Sequence, residues 1–129
     1  MKVKKEIWIP SPEKGVAASG SANYSRLIRH SNGRLYWIAD IVSTNPYANS
    51  PRYPLVITEI DEENLTVKRK SMFIVDTRTE DESKSLQLSN FGVYKDRKTK
   101  EIVITLARLF PKQEDDWTAG YVKYSIDVS

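Results

Sequence analysis

Short runs of β-branched and aromatic residues recur along this chain, each closed by a turn signal, and no segment shows the spacing of an amphipathic helix. Tyr24 to His30 and Arg34 to Val42 are two such runs, joined by Asn32-Gly33. That dipeptide is a strong hairpin signal because both central residues of a type I′ turn need positive φ. Leu55 to Ile60 and Leu65 to Val75 flank the turn "DEEN", and the second of these runs alternates, with Val67, Arg69 and Ser71 on one face. After the acidic loop "DTRTEDESKS" the pattern starts again: "LQLSNFGVY", the turn "KDRKTK", "EIVITLARLF", the loop "PKQEDDWTAG" and "YVKYSIDV". Even the best helical candidate, Ile102 to Phe110, opens with β-branched residues. The expected fold is therefore all-β, built from antiparallel four-stranded meanders. Pattern alone leaves two arrangements open, about two blades of a β-propeller or a single β-sandwich.

The longest break in this rhythm is "STNPYANSPRYP", Ser43 to Pro54, whose three prolines exclude regular structure. Long loops on β scaffolds often carry function. Within it Arg52 stands beside Tyr53 and near Tyr47, a grouping suited to stacking on a sugar ring and pairing with a carboxylate.

Composition excludes several classes. The 20 basic and 17 acidic side chains are interspersed and leave a net charge of +3, so no nucleic-acid partner is implied. Cysteine is absent, which removes disulfides, thiolate metal sites and cysteine nucleophiles together. His30, the single histidine, abuts a turn, reads as a surface residue and has no evident metal-binding companions. No cofactor is expected. The stretch Met1 to Pro12 has a basic start but lacks the apolar core of a secretory signal, and no apolar run is long enough to insert in a membrane.

The hairpin "NYSRLIRHSNGRLYWIAD" resembles one found in sialidases (neuraminidases), in which a tyrosine and a small residue open a strand, a Gly-containing turn follows, and an aromatic-rich strand ends in an acid. The matching positions are Tyr24, Ser25, Leu27, Asn32, Gly33 and Asp40. "PRYPLVITEIDEENLTVKR", "LQLSNFGVYKDRKT" and "DDWTAGYVKYSI" are similar to the carboxy-terminal part of bacterial sialidase-like propeller proteins. The resemblance implies an N-terminal extension over 1–18 and a propeller fragment over 19–129, with blades at roughly 19–77 and 86–129. It also implies a chemistry. Sialic acid carries a carboxylate on its anomeric carbon, which would repel an anionic nucleophile, and sialidases use a tyrosine instead. Tyr24 would be that nucleophile. Asp40, where the family commonly has glutamate, would orient the phenol or one of the arginines that grip the substrate carboxylate.

Register is the geometric test of this reading. A two-residue turn at Asn32-Gly33 sets Ser25 opposite Asp40 and Tyr24 opposite Ile41, which places Tyr24 and Asp40 on opposite faces. A bulge or a longer loop is needed to bring them together. In the plainer alternative Tyr24 and Tyr36 are strand aromatics, Asp40 is a strand-end acid, and the chain is a non-catalytic module that binds glycan or self-associates. A sialidase propeller has six blades of about 40 to 50 residues, so this chain would hold roughly two to three of them. The remaining groups would come from upstream blades or from further copies of the chain.

Overall fold

The computed structural model describes residues 1–9, 25–40, 53–82, 86–88, 91–109 and 119–128. Within them the protein is all-β, with antiparallel sheets of four and five strands, neither closed into a barrel. The five-stranded sheet contains β2 (Ser25–Arg29), β3 (Leu35–Asp40), β4 (Leu55–Asp61), β5 (Thr66–Val67) and β6 (Phe73–Asp76). Its order is β2-β3-β4, with β5 and β6 both pairing with β4. The four-stranded sheet runs β1-β9-β8-β7, from β1 (Lys2–Ile9), β7 (Gly92–Lys95), β8 (Ile102–Leu109) and β9 (Ala119–Asp127). The N-terminal segment, read from the sequence as an extension, is thus an edge strand of the sheet built from the last third of the chain.

Alternation along the strands explains how the sheets meet. Tyr36 and Ile38 of β3 and Leu55 and Ile57 of β4 are buried on one side of the first sheet. Ile102, Ile104 and Leu106 of β8, with Val122, Tyr124 and Ile126 of β9, are buried in the second. All of them, together with Leu86, Leu88 and Phe91 from the connecting segment, belong to one continuous core. Fully burying each large apolar side chain contributes roughly 1.5–3 kcal/mol, so this shared interior is the main force joining the sheets.

Two details depart from the sequence reading. The β2–β3 connection is not a two-residue turn: Arg29 pairs with Leu35, and residues 30–34 lie between them. Gly33 N–H donates to His30 O at 3.0 Å, His30 N–H donates to Arg34 O at 2.9 Å, and only Gly33 has positive φ there, at 87°. This is the three-residue hairpin loop whose last member is left-handed. Local polar bonds select it. Asn32 N–H donates to His30 Nδ1 at 3.0 Å, and Arg34 N–H donates to Asn32 Oδ1 at 2.8 Å. The register therefore shifts by one residue, and Ser25 pairs with Ala39 instead of Asp40. His30, expected at the surface, is buried at 8% exposure, and its ring meets Tyr36 edge to face.

The second departure is in the run Leu65 to Val75, which does not alternate as one strand. It pairs with β4 at Val67, leaves the sheet through a short 3₁₀ turn at Arg69–Ser71, and returns as β6. Ser71 makes the excursion possible. Its hydroxyl donates to Lys68 O at 2.6 Å, accepts from the Glu59 amide at 2.8 Å and lies 3.1 Å from Thr58 Oγ1. A side-chain oxygen replaces the ladder acceptor that the departing strand takes away.

Replacing Ser71 with alanine leaves the buried Glu59 N–H without this acceptor. It is expected to destabilise the fold by about 1–3 kcal/mol, read as a lowered urea midpoint at unchanged slope. An unchanged midpoint would show that the hydroxyl is dispensable.

Candidate functional site

Asp40 and Asp76 flank Leu55 in one row across three strands of the five-stranded sheet. Residues directly opposite in a ladder share a face, so both aspartates lie on the core side with Leu55, with backbones roughly 10 Å apart. The Asp40 carboxylate oxygens have essentially no contact with solvent. Tyr53, two residues before Leu55, is half-buried and packs its ring against the shared core. Of the residues proposed from the sequence, this end of the molecule holds Asp40 and Tyr53. Tyr24, Tyr47 and Arg52 lie outside the described residues.

The facing sheet brings a cation to the same row. Arg108, near the end of β8, donates from Nε to Asp76 Oδ2 at 3.1 Å, from Nη2 to Glu82 Oε1 at 3.2 Å and to Thr77 O at 3.3 Å, and from Nη1 to Glu82 Oε2. The Tyr124 hydroxyl donates to Asp76 Oδ2, and Lys5 of β1 pairs with the same oxygen at 3.3 Å. Two cations thus balance two carboxylates around a neutral phenol, and Asp76 ties β6 to β1, β8 and β9. Arg78 braces the adjoining loop, donating from Nε to Glu82 O at 2.9 Å.

The electrostatics make this cluster a closed unit. Burial opposes the charge on Glu82, but the hydrogen bonds from Arg108 and from the Thr79 backbone and hydroxyl outweigh it, and its carboxyl is held down to about 2. Burial also disfavours charge on Arg108, yet the Glu82 hydrogen bond and the fields of Asp76 and Glu82 keep the guanidinium charged above its usual range. Burial, then the charge of Asp76 and the hydrogen bond to it, push the Tyr124 phenol well above the ordinary tyrosine value. A phenol held protonated in this way does not serve as a nucleophile. The donors of Arg108 are committed to protein acceptors, so it anchors the sheets instead of gripping a substrate.

The sequence reading did not single out Lys5, Asp76, Arg108 or Tyr124. The available signal was Arg108, one arginine inside the apolar run "EIVITLARLF". A charge in a strand that otherwise enters the core implies a buried partner. Among the described residues no group of three or more histidine, aspartate or glutamate side chains is arranged to hold a metal ion. No family model, curated protein or solved structure matches this chain.

Because the Glu82 carboxyl titrates lower in the folded protein than in the unfolded chain, its contribution is complete above about pH 4.5 and is lost as pH falls toward about 2. Glu82→Gln is expected to lower stability at neutral pH by about 2 kcal/mol and to flatten its acid dependence over that window. Thermal midpoints between pH 2 and 7 provide the check, and parallel curves for variant and wild type would refute the assignment.

Proposed function

We propose that this chain is the carboxy-terminal part of a sialidase-like glycoside hydrolase, acting on sialic-acid-type or related glycans and inactive by itself. The observation that carries the reading is the register of β2 and β3. A three-residue loop, closed by the His30–Arg34 hydrogen bond, replaces the two-residue turn, and Ser25 pairs with Ala39. That register is the one a hairpin needs for its first tyrosine and its last acid to share a face. Tyr24 is the proposed nucleophile, and Asp40, whose carboxylate is withdrawn from solvent, is the proposed positioning acid.

A second feature supports a blade-like role. The face of the five-stranded sheet turned away from the shared core carries an apolar stripe: Leu27 pairs with Trp37, and Leu35, Ile60, Leu65 and Val67 line a shallow groove of about 360 Å³ there. Leu27 is 63% exposed, Leu65 82% and Ile74 56%. A sheet that ends a sandwich normally turns a polar face to water, whereas a sheet between neighbours is apolar on both faces.

The chemistry fits the substrate class. A neutral phenol approaches an anomeric carbon bearing a carboxylate without the repulsion that an aspartate would meet; as its oxygen bonds that carbon, a carboxylate base supplied from outside this chain takes its proton, and the aglycone leaves with a proton from a separate acid. Arginines for the substrate carboxylate come from elsewhere than Arg108, whose hydrogen bonds are already made; Arg52 is the proposed contributor from this chain, with Tyr53 and Tyr47 beside it.

Hydrolysis of a fluorogenic sialoside tests the proposal. The 129-residue chain is expected to be inert, and a longer polypeptide that includes the preceding blades is expected to be active. In the active form Tyr24→Phe removes turnover, and Asp40→Asn lowers kcat by roughly a hundredfold or more. Full activity of Tyr24→Phe would exclude the proposed nucleophile. Glycan binding that depends on Arg52 and Tyr53 but not on Tyr24, with no hydrolysis in any form, would establish the non-catalytic module instead.

A further inference from the structure

At the opposite end of the sheets from Asp40, the β2–β3 and β7–β8 turns meet around a cavity of about 310 Å³ lined by Ser31, Lys95, Asp96, Arg97 and Lys100. Three of these five side chains are cations, and none of the three is ion-paired among the described residues. The one acid is engaged by its own turn. Asp96 Oδ1 accepts from the Lys98 amide at 2.8 Å and the Thr99 amide at 3.1 Å. The cavity therefore carries a surplus of positive charge.

Its walls are fixed by hydrogen bonds. Asp96 N–H donates to Glu101 O and Lys100 N–H to Asp96 O, each at 2.9 Å. His30 joins the two turns. Its Nδ1 accepts from the Asn32 amide, so the ring proton is on Nε2, which donates to Lys100 O across the gap between the sheets. Lys100 has a φ of 64°, in the left-handed region where glycine is comfortable and a lysine is strained by about 1 kcal/mol. The same conformation closes the β4–β5 turn at Leu65, with φ 54°, after an equivalent aspartate-capped turn, so it belongs to the turn type and sets Lys100 at the mouth of the cavity.

We propose that this cavity binds a compact tetrahedral oxyanion, the sulfate group of an acidic sugar unit, through Lys95, Arg97 and Lys100 with Ser31 as a neutral donor. The sugar carrier rests on the glycan reading above; the oxyanion site does not. A compact ligand is favoured over a long polyanion such as nucleic acid by what lies on the other side of the β2–β3 turn. There a second cavity is lined by Glu59, Asp61, Glu62 and Glu63; Arg34 and Lys68 pair with Glu59 and Arg29 with Glu62, which leaves a smaller surplus of negative charge at Asp61 and Glu63. An extended phosphate backbone leaving the basic cavity in that direction meets like charge.

The test uses the intact chain, with sodium sulfate as probe against sodium chloride at matched ionic strength. Amide chemical shifts of Ser31, Lys95, Arg97 and Lys100 are expected to move saturably with sulfate and not with chloride. Lys100→Gly removes one cation and relieves the left-handed strain, so it is expected to weaken sulfate binding about tenfold while the thermal midpoint stays level or rises. Arg97→Gln should weaken binding similarly, and Lys70→Gln, on the 3₁₀ turn, should not. Absence of saturable sulfate shifts, or shifts that survive both Lys100→Gly and Arg97→Gln, would overturn the site. A sulfated chondroitin disaccharide is expected to compete with sulfate and its unsulfated counterpart is not. Failure of the sulfated disaccharide to compete, or stronger competition by a single-stranded DNA oligonucleotide, overturns the glycan assignment. Loss of the sialidase reading at Tyr24 leaves the sulfate result untouched, so the two proposals fail separately.

Discussion

Everything in this molecule depends on two sheets burying their apolar faces against each other. Tyr36, Ile38, Leu55 and Ile57 on one side and Ile104, Leu106, Tyr124 and Ile126 on the other form a single interior. Dispersion and the hydrophobic effect are non-directional, however, and do not by themselves fix how the sheets are aligned. Directional bonds at the two ends supply that alignment. At one end Asp76 collects Arg108, Tyr124 and Lys5 from three strands of the opposite sheet. At the other, the imidazole of His30 reaches the Lys100 carbonyl.

These end devices differ in what they leave available. Around Asp76 the charges cancel and the donors are spent, which suits a clamp. Around Lys100 the bonds are made by backbone groups and the imidazole, while the cationic side chains remain directed to the cavity they line. The same economy of interactions thus produces a structural cluster in one place and a candidate binding surface in the other. It also explains why buried charge is a poor guide to function here: the most strongly perturbed groups, Glu82, Arg108 and Tyr124, are the ones most fully engaged with each other.

The β2–β3 hairpin illustrates how far sequence reasoning reaches. Asn32-Gly33 marked the turn correctly, because glycine there does adopt positive φ. The loop length was not legible from the dipeptide, since it is decided by the hydrogen bonds of His30 and Asn32, and His30 is held inward by a carbonyl 70 residues away. A difference of one residue in register then changes which side chains share a face. The break at Arg69–Ser71 is similar: alternation suggested a continuous strand, but the hydroxyl of Ser71 offers β4 an acceptor that a side-chain pattern does not reveal. Of the residues named from the sequence as a site, Asp40 and Tyr53 are seen at one end of the core; Arg108 beside them signalled a buried partner, but nothing local identified that partner as Asp76.

By itself the sequence determined the all-β character, the antiparallel hairpins and the positions of most strands. β-propensity, alternation and turn chemistry act between residues a few positions apart, so they are written locally. Only the tertiary structure decided that the first strand completes the last sheet, that both sheets share one interior, and that Arg108 meets Asp76 across 32 residues and Tyr124 meets it across 48. Those contacts exist because the chain, once collapsed, had to find partners for every charge it carried inward, and no short-range rule says where such a partner will stand.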